Sequence, residues 1–317
     1  STMGYKLAGF DVIGANDIDP EMAWHYKENH KPKYYYLEDI RKFRQREDLP
    51  KELYQLDILD GSPPCSSFSM AGSREKGWGK KKKFREGQAE QTLDDLFFDF
   101  IELARKLQPK VIVAENVKGM LQGNAKGYVK QIIGLFNVAG YDVQLFLLNA
   151  ASMGVPQKRE RVFFVCKRKD LNFKDLKLGF NQKMISIRTA FGDIINEEGK
   201  DFSSSSMKKY YDKCSPGYSF SSVHPKGSLF SLIKLHPDKV APTLTATNAQ
   251  DQLYRWDKMS GLSNNQVCLL GSYPLDYKFK TKAGYMIGMS VPPLMTYGVA
   301  NQIYKQWFDT TPETKLN

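Results

Sequence analysis

Apolar and polar positions follow two rhythms along the first 185 residues. Short apolar runs stand at "FDVIGAND" (10–17), "LDILD" (56–60), "KVIVAEN" (110–116), "YDVQLFLLNA" (141–150) and "RVFFVCK" (161–167). Their length and their polar or turn-forming borders predict strands. Between them, apolar residues recur at three- and four-residue steps. One such series is Leu93, Leu96, Phe97, Phe100, Ile101, Ala104 and Leu107; another is Val129, Ile132, Ile133 and Phe136. That spacing lines one face of a helix. Strands alternating with helices predict an α/β fold, a mostly parallel sheet with helices on its faces. Ligands of such sheets bind beyond the carboxyl ends of the strands. Asp17, Cys65, Glu115 and Asn116 are expected along that edge, because each closes a strand.

The texture changes after about residue 186. "DFSSSSMKKYYDKCSPGYSFSSVHPKG" (201–227) is rich in Ser, Tyr and Lys and has weak periodicity. We read 1–185 as one α/β domain, 186–280 as a smaller irregular module, and 281–317 as a segment packing back on the first domain. A helix is expected after Pro293, with Leu294, Tyr297, Ala300, Tyr304 and Trp307 on one face.

Composition narrows the choice of partner. Lys and Arg number 46 against 35 Asp and Glu, a formal charge of +11. This favours a polyanionic partner such as nucleic acid, and a basic surface serving only solubility is the alternative. Cys65, Cys166, Cys214 and Cys268 are far apart, without a C-x-x-C pair or a neighbouring His. Neither a disulfide framework nor a zinc site is expected, and a reducing cytoplasm fits. No apolar run has the length of a membrane span.

Three strand ends carry candidate chemistry. In "GSPPCSSFS" (61–69), Pro63 and Pro64 have fixed φ and no N–H, so they force a rigid exit loop and aim Cys65. A nucleophile needs such aim, although a lone cysteine is more often an inert core residue. In "AENVKGM" (114–120), Glu115 could act as an acid or orient a ring nitrogen, or could simply cap a helix. In "PQKRER" (156–161), Arg159 and Arg161 alternate into a strand and so are expected on one face. Guanidiniums suit carbonyls, phosphates and acidic partners, and a solvated charge cluster has the same appearance.

Taken together, "GSPPCSSFS", "ENVKG" and "QKRER", in that order and spacing, resemble the DNA cytosine-5 methyltransferase family. The resemblance runs from "LAGFDVIGANDIDP" to "GYMIGMSVPPL", most of the chain. It implies a Rossmann-like S-adenosylmethionine-dependent methyltransferase fold with a target-recognition module, here 186–280, acting on double-stranded DNA as a monomer without a metal. It implies that the Cys65 thiolate adds to cytosine C6, that Glu115 holds N3 and the exocyclic amine, that Arg161 meets O2, and that Arg159 supports the cysteine loop. On the cofactor side it implies Asp17 on the ribose, Ile18 on the adenine, Asp39 near the adenine amine, and Ile40 and Pro63 nearby.

The chain departs from the family in two places. "TLDDLFF" (92–98) replaces an Arg-Gly step, and "GMSV" (288–291) replaces Gly-Asn-Ala-Val. The stretch 66–91 is a long loop expected to close over flipped DNA, with Ser67 and Lys80, Lys81, Lys82 and Lys83 at the DNA. Specificity is expected within 190–250, where Lys208, Lys209, Tyr210 and Tyr211 could meet the major groove. The family carries a first strand and Phe-x-Gly-x-Gly just upstream of a segment like residues 2–17. From the sequence as it begins at Ser1, weak cofactor binding and a gap in the sheet beside "FDVIGAND" are expected. Two other functions stay open: a transfer-RNA cytosine-5 methyltransferase, and a catalytically silent DNA-binding protein of the same fold. The Cys-Phe-Thr element of the eukaryotic transfer-RNA branch does not occur in 186–280. Cys65, Glu115, Arg159 and Arg161 are all in place, which speaks against a silent protein.

Overall fold

Residues 1–64, 81–82, 91–92, 96–123, 125–247 and 249–309 are described by a computed structural model. Helix α1 (Thr2–Leu7) opens the chain. Gly9, at φ 91°, then turns it so that the Phe10 N–H bonds the Tyr5 carbonyl. This is why β1 is shorter than the apolar run suggests and spans only Gly14–Asp17. Phe10 packs edge-on to Tyr5 instead of extending the strand. Asp19 then caps α2 (Pro20–His30), accepting from the N–H groups of Glu21 and Met22, with Pro20 in the first turn where its missing donor costs nothing.

Strand β2 (Tyr34–Leu37) runs parallel to β1, with Asp17 opposite Leu37. The short helix α3 (Ile40–Phe43) follows it, capped by Asp39. Next come β3 (Ile58–Gly61) and the two-residue strands β4 (Lys81–Lys82) and β5 (Gln91–Thr92), which pair antiparallel. Then α4 (Leu96–Leu107), β6 (Val111–Val117), α5 (Ala125–Val138), β7 (Tyr141–Asn149) and β8 (Glu160–Arg168) complete the α/β part. Both long helices bury most of the apolar stripes read from the sequence, Leu93 lying outside the described residues. Phe97, Phe100 and Ala104 of α4 and Ile132 and Phe136 of α5 pack on Ile112 and Ala114 of β6 and on Phe164 and Cys166 of β8.

The strands of the α/β part, the short β4–β5 pair aside, form two sheets where the sequence suggested one. β1 and β2 make a two-stranded sheet, and β3, β6, β8 and β7 make a four-stranded sheet in that order. Among the described residues no strand joins the two. The sheet is also less parallel than expected, because β3 runs parallel to β6 but β8 runs antiparallel to it. The start of β8 therefore lies at the carboxyl end of β6, with Arg161 opposite Val117.

The remaining elements are short. They are α6 (Ile187–Phe191), α7 (Lys208–Lys213), β9 (Ile233–Lys234), β10 (Leu253–Tyr254), α8 (Asn264–Leu270), α9 (Ala283–Met289) and α10 (Pro293–Ile303). The buried residues of α10 are Met295, Thr296, Val299, Ala300 and Ile303, so the expected face through Leu294, Tyr297 and Tyr304 is offset from the real one. The close approach of α1 explains part of this offset. A β-carbon on Gly4 would overlap the Pro293 carbonyl and the Tyr297 N–H.

By compactness the chain forms two units. One comprises 1–11, 149–159 and 179–301; the other comprises 12–148, 160–178 and 302–317. This division by compactness differs from the boundaries at 185 and 280 expected from the sequence. Among the described residues no helix is long and apolar enough to cross a membrane, and no cluster of His, Cys, Asp or Glu could hold a metal.

Candidate active site

The centre of the site is the end of β6. Its first four residues, Val111 to Ala114, are at most 1% exposed, and then the strand turns polar without leaving the interior. Glu115 and Asn116 are both buried. They are the fifth and sixth of seven strand residues, so neither closes the strand as the sequence suggested. A carboxylate there is costly unless it is paired. Its partner is Arg161, whose Nε lies 2.8 Å from Glu115 Oε1. The contact is an ion pair without hydrogen-bond alignment, since Oε1 accepts no aligned bond. Arg161 Nη1 donates to the Glu160 carbonyl, and Lys118 pairs with Glu160 alongside.

Asn116 ties this strand to the loop leaving β3. Its Nδ2 donates to the Pro63 carbonyl at 2.9 Å, and its Oδ1 accepts from the Val117 N–H. Pro63 is itself buried. The Pro-Pro step is thus anchored beside Glu115. Cys65, Ser67, Lys80 and Lys83 lie outside the described residues, and Lys81 and Lys82 are described only as backbone of β4.

Arg159 does not share a face with Arg161. It precedes β8, so strand alternation does not reach it. It is 2% exposed and donates to the carbonyls of Leu244 (2.7 Å) and Gly288 (3.1 Å). Gln157, two residues earlier, donates to the Leu270 carbonyl and accepts from the Leu244 N–H. Gln157 and Arg159 together brace three segments of one compact unit. A β-carbon on Gly288 would overlap the Thr245–Ala246 peptide, so this brace requires glycine.

The second cluster lies at the ends of β1 and β2. Each of these parallel strands is left by an Asp-Ile step: Asp17-Ile18 at the end of β1, and Asp39-Ile40 two residues after Leu37. Asp17 Oδ1 accepts from the Asp19 N–H at 2.9 Å. Asp39 Oδ1 accepts from the Arg41 N–H, and its other oxygen meets Arg41 Nη1 at 3.2 Å. Arg41 also pairs with Asp99, which holds Arg44 at 2.9 Å. Asn16, which the sequence reading passed over, staples the two strand ends by donating to the Tyr36 and Glu38 carbonyls. Two carboxylates with branched apolar neighbours suit a nucleoside. The acids accept from hydroxyls or an exocyclic amine, and the isoleucines can cover a flat ring.

In the other unit, Tyr211 is not open to a groove. It is 5% exposed, and its hydroxyl donates to the Arg255 carbonyl. Lys208 pairs with Asp212, and Lys209 lies over the Tyr210 ring.

Comparison with known proteins decides the family. The model of the family of C-5 cytosine-specific DNA methylases matches residues 1–305. The chain belongs to that family. Over 177 residues it is 40% identical to the Type II methyltransferase M.NgoPII of Neisseria gonorrhoeae, covering 54% of this chain and 46% of that protein. The chain thus spans about half the length of that relative. It is 26% identical over 324 residues to the Type II methyltransferase M1.HphI of Haemophilus parahaemolyticus, covering 96% and 83%. Of the solved structures, S. pombe Dnmt2 methyltransferase shares the fold, with a TM-score of 0.63, 16% identity and coverage of 97% and 95%. Among C-5 cytosine-specific methylases this chain therefore keeps the α/β methyltransferase fold that its strand and helix pattern suggested.

Proposed function

We propose that the protein methylates cytosine at C5 in double-stranded DNA, with S-adenosylmethionine as methyl donor. The observation that carries this reading is the Glu115–Arg161 pair next to the Asn116–Pro63 bond. A buried carboxylate and a guanidinium side by side offer an acceptor for the exocyclic amine of cytosine and a donor for its carbonyl. Cys65 follows the anchored Pro63 by two residues.

Attack is needed because C5 of cytosine is a poor nucleophile. A bond from the Cys65 sulfur to C6 pushes electron density to C5. S-adenosylmethionine, when bound, would offer C5 an electrophilic methyl group, with S-adenosylhomocysteine as the leaving group. C5 then loses its proton, and the C6–sulfur bond breaks to regenerate the thiolate and the aromatic ring. Glu115 holds the ring edge at N3 and the exocyclic amine and stabilises the charge that develops during addition. Arg161 keeps Glu115 in place and faces the base carbonyl. Asp17, Ile18, Asp39 and Ile40 would hold the adenosine part of the donor, with Pro63 nearby. The target atom is buried in the duplex stack, so the base must be flipped out. A place in a bacterial or phage restriction–modification setting agrees with relatives called Type II and orphan methyltransferases.

The test is transfer of a labelled methyl group to duplex DNA and, in parallel, to transfer RNA. Label in duplex cytosine that vanishes in Cys65→Ser supports the reading. Label only in transfer RNA would replace it with the RNA reading. DNA binding without any label would leave a silent binding protein.

A further inference from the structure

The module between residues 203 and 247 holds six lysines and two aspartates, without Arg or Glu. Both aspartates are already paired: Asp212 with Lys208 and Asp238 with Arg188. The lysine excess is therefore uncompensated within the module. Its core is a small aromatic cluster of Tyr211, Phe220, Tyr254 and neighbours. Across that cluster runs an antiparallel ribbon. Phe220 N–H bonds the Leu232 carbonyl, Lys234 N–H bonds the Tyr218 carbonyl, and Ser219 bridges Ile233.

One residue on this ribbon is out of character. Leu229 to Leu232 form a tight turn, closed by the Leu232 N–H on the Leu229 carbonyl. Turn corners usually carry Gly, Pro, Asn, Asp or Ser. Here the first corner is Phe230, and it is 77% exposed. Leu229, just before it, has φ 68°, a left-handed conformation that costs a leucine about 1 kcal/mol. Leu229 packs on the aromatic cluster while Phe230 stands out in water. The chain accepts backbone strain to bury the leucine and present the phenylalanine.

We propose that Phe230 is a specificity-determining contact that sits in the major groove of duplex DNA against a thymine methyl group; this rests on the DNA-methyltransferase reading above. A two-stranded ribbon is one of the shapes the major groove admits. Lysines beside the ribbon, Lys226 and Lys239, suit the phosphates that flank the groove. The groove wall shows hydrogen-bonding groups at every base pair but only one apolar group, the thymine C5-methyl. An exposed phenyl ring in a basic module has that group as its natural partner.

The experiment uses the full chain and a duplex carrying the target found by mapping methylated cytosines. Each thymine in and beside the target is replaced by deoxyuridine, which removes only the methyl group. At one position the wild type should bind several-fold more weakly, whereas Phe230→Ala should bind both duplexes equally and about tenfold more weakly than wild type. Phe230→Leu, which keeps an apolar tip, should recover part of the discrimination. The salt dependence should be the same in all three, since Phe230 neutralises no phosphate. Unchanged affinity and discrimination in Phe230→Ala, or no thymine whose methyl matters, overturns the proposal while leaving the methyltransferase reading intact. A change in sedimentation with unchanged DNA binding would assign the ring to a second copy of the chain and also overturn it. A wild type that neither binds nor methylates any duplex would sink both readings.

Discussion

Arg161 reaches Glu115 diagonally across two antiparallel strands. Glu115 stands opposite Phe163 and Arg161 opposite Val117, so the pair lies on one face, one step apart along the ladder. Such diagonal neighbours are within reach of long side chains. Glu115→Gln should therefore cut methyl transfer by at least about 100-fold, the usual scale of a lost acid–base group. Arg161→Ala should cost about 3 kcal/mol of stability, because it leaves a buried carboxylate alone. The double variant Glu115→Gln/Arg161→Ala should recover much of that stability but none of the turnover. Chemical denaturation beside single-turnover kinetics checks this. Additive losses of stability would show that the two side chains are uncoupled.

Asn116→Ala removes the bond to the Pro63 carbonyl. The expected outcome is a fall in kcat with a small change in KM for the donor, because the anchored step leads to Cys65. A thermal melt close to wild type would separate positioning from folding. A variant with wild-type kcat would remove Asn116 from the reaction.

Thiol chemistry should single out Cys65. Burial pushes the Cys166 thiol well above its ordinary value and raises Cys268 to about 12. Cys214 is buried as well and lies near the Tyr218 and Ser219 carbonyls. Iodoacetamide at pH 8 should modify Cys65 first and the other three only on unfolding. Peptide mapping that finds Cys166 or Cys268 labelled first in native protein would contradict this.

Arg255 is 1% exposed, and its guanidinium is fully engaged. It donates twice to Asp257, at 2.9 and 2.6 Å, and to the carbonyls of Ile195 and Glu197. Arg255→Ala should destabilise its unit by about 3 kcal/mol, since it empties a buried site and takes this donor from the Ile195 carbonyl. Burial raises the Asp257 carboxyl, but the Arg255 hydrogen bonds outweigh it and hold the acid below its ordinary value. The resulting stability is present above the ordinary carboxylate range and is lost as pH falls through the folded value. The wild-type unfolding midpoint should drop on acidification through pH 4, and less so in the variant. Parallel pH profiles would argue that Asp257 plays no part.

Period and punctuation made much of the α/β part readable. The stripe of Phe97, Phe100 and Ala104 and the run from Val111 to Ala114 are buried as their spacing demanded. The second strand was harder to read, because three consecutive tyrosines, Tyr34 to Tyr36, are each half-buried and show no alternation. Asn16 was hidden because its two bonds go to backbone carbonyls, which no sequence pattern announces. At the site, Glu115 stood out as an acid at the end of an apolar strand. Arg159 looked the same as Arg161 in sequence, yet one lies just before the strand and the other within it. The strand's start at Glu160, between the two, goes with their different partners.

The Arg159 brace also constrains the order in which the chain can fold. Its two carbonyl partners come 85 and 129 residues later in sequence. At ribosomal speeds of about 5–20 residues per second, roughly ten seconds pass between synthesis of the arginine and of Gly288. During that interval the guanidinium can gain the Leu244 carbonyl but not that of Gly288, so the segment bearing it cannot close fully. A nascent chain stalled before residue 288 would therefore hold that arginine in an unfinished interior, exposed to chaperones and proteases.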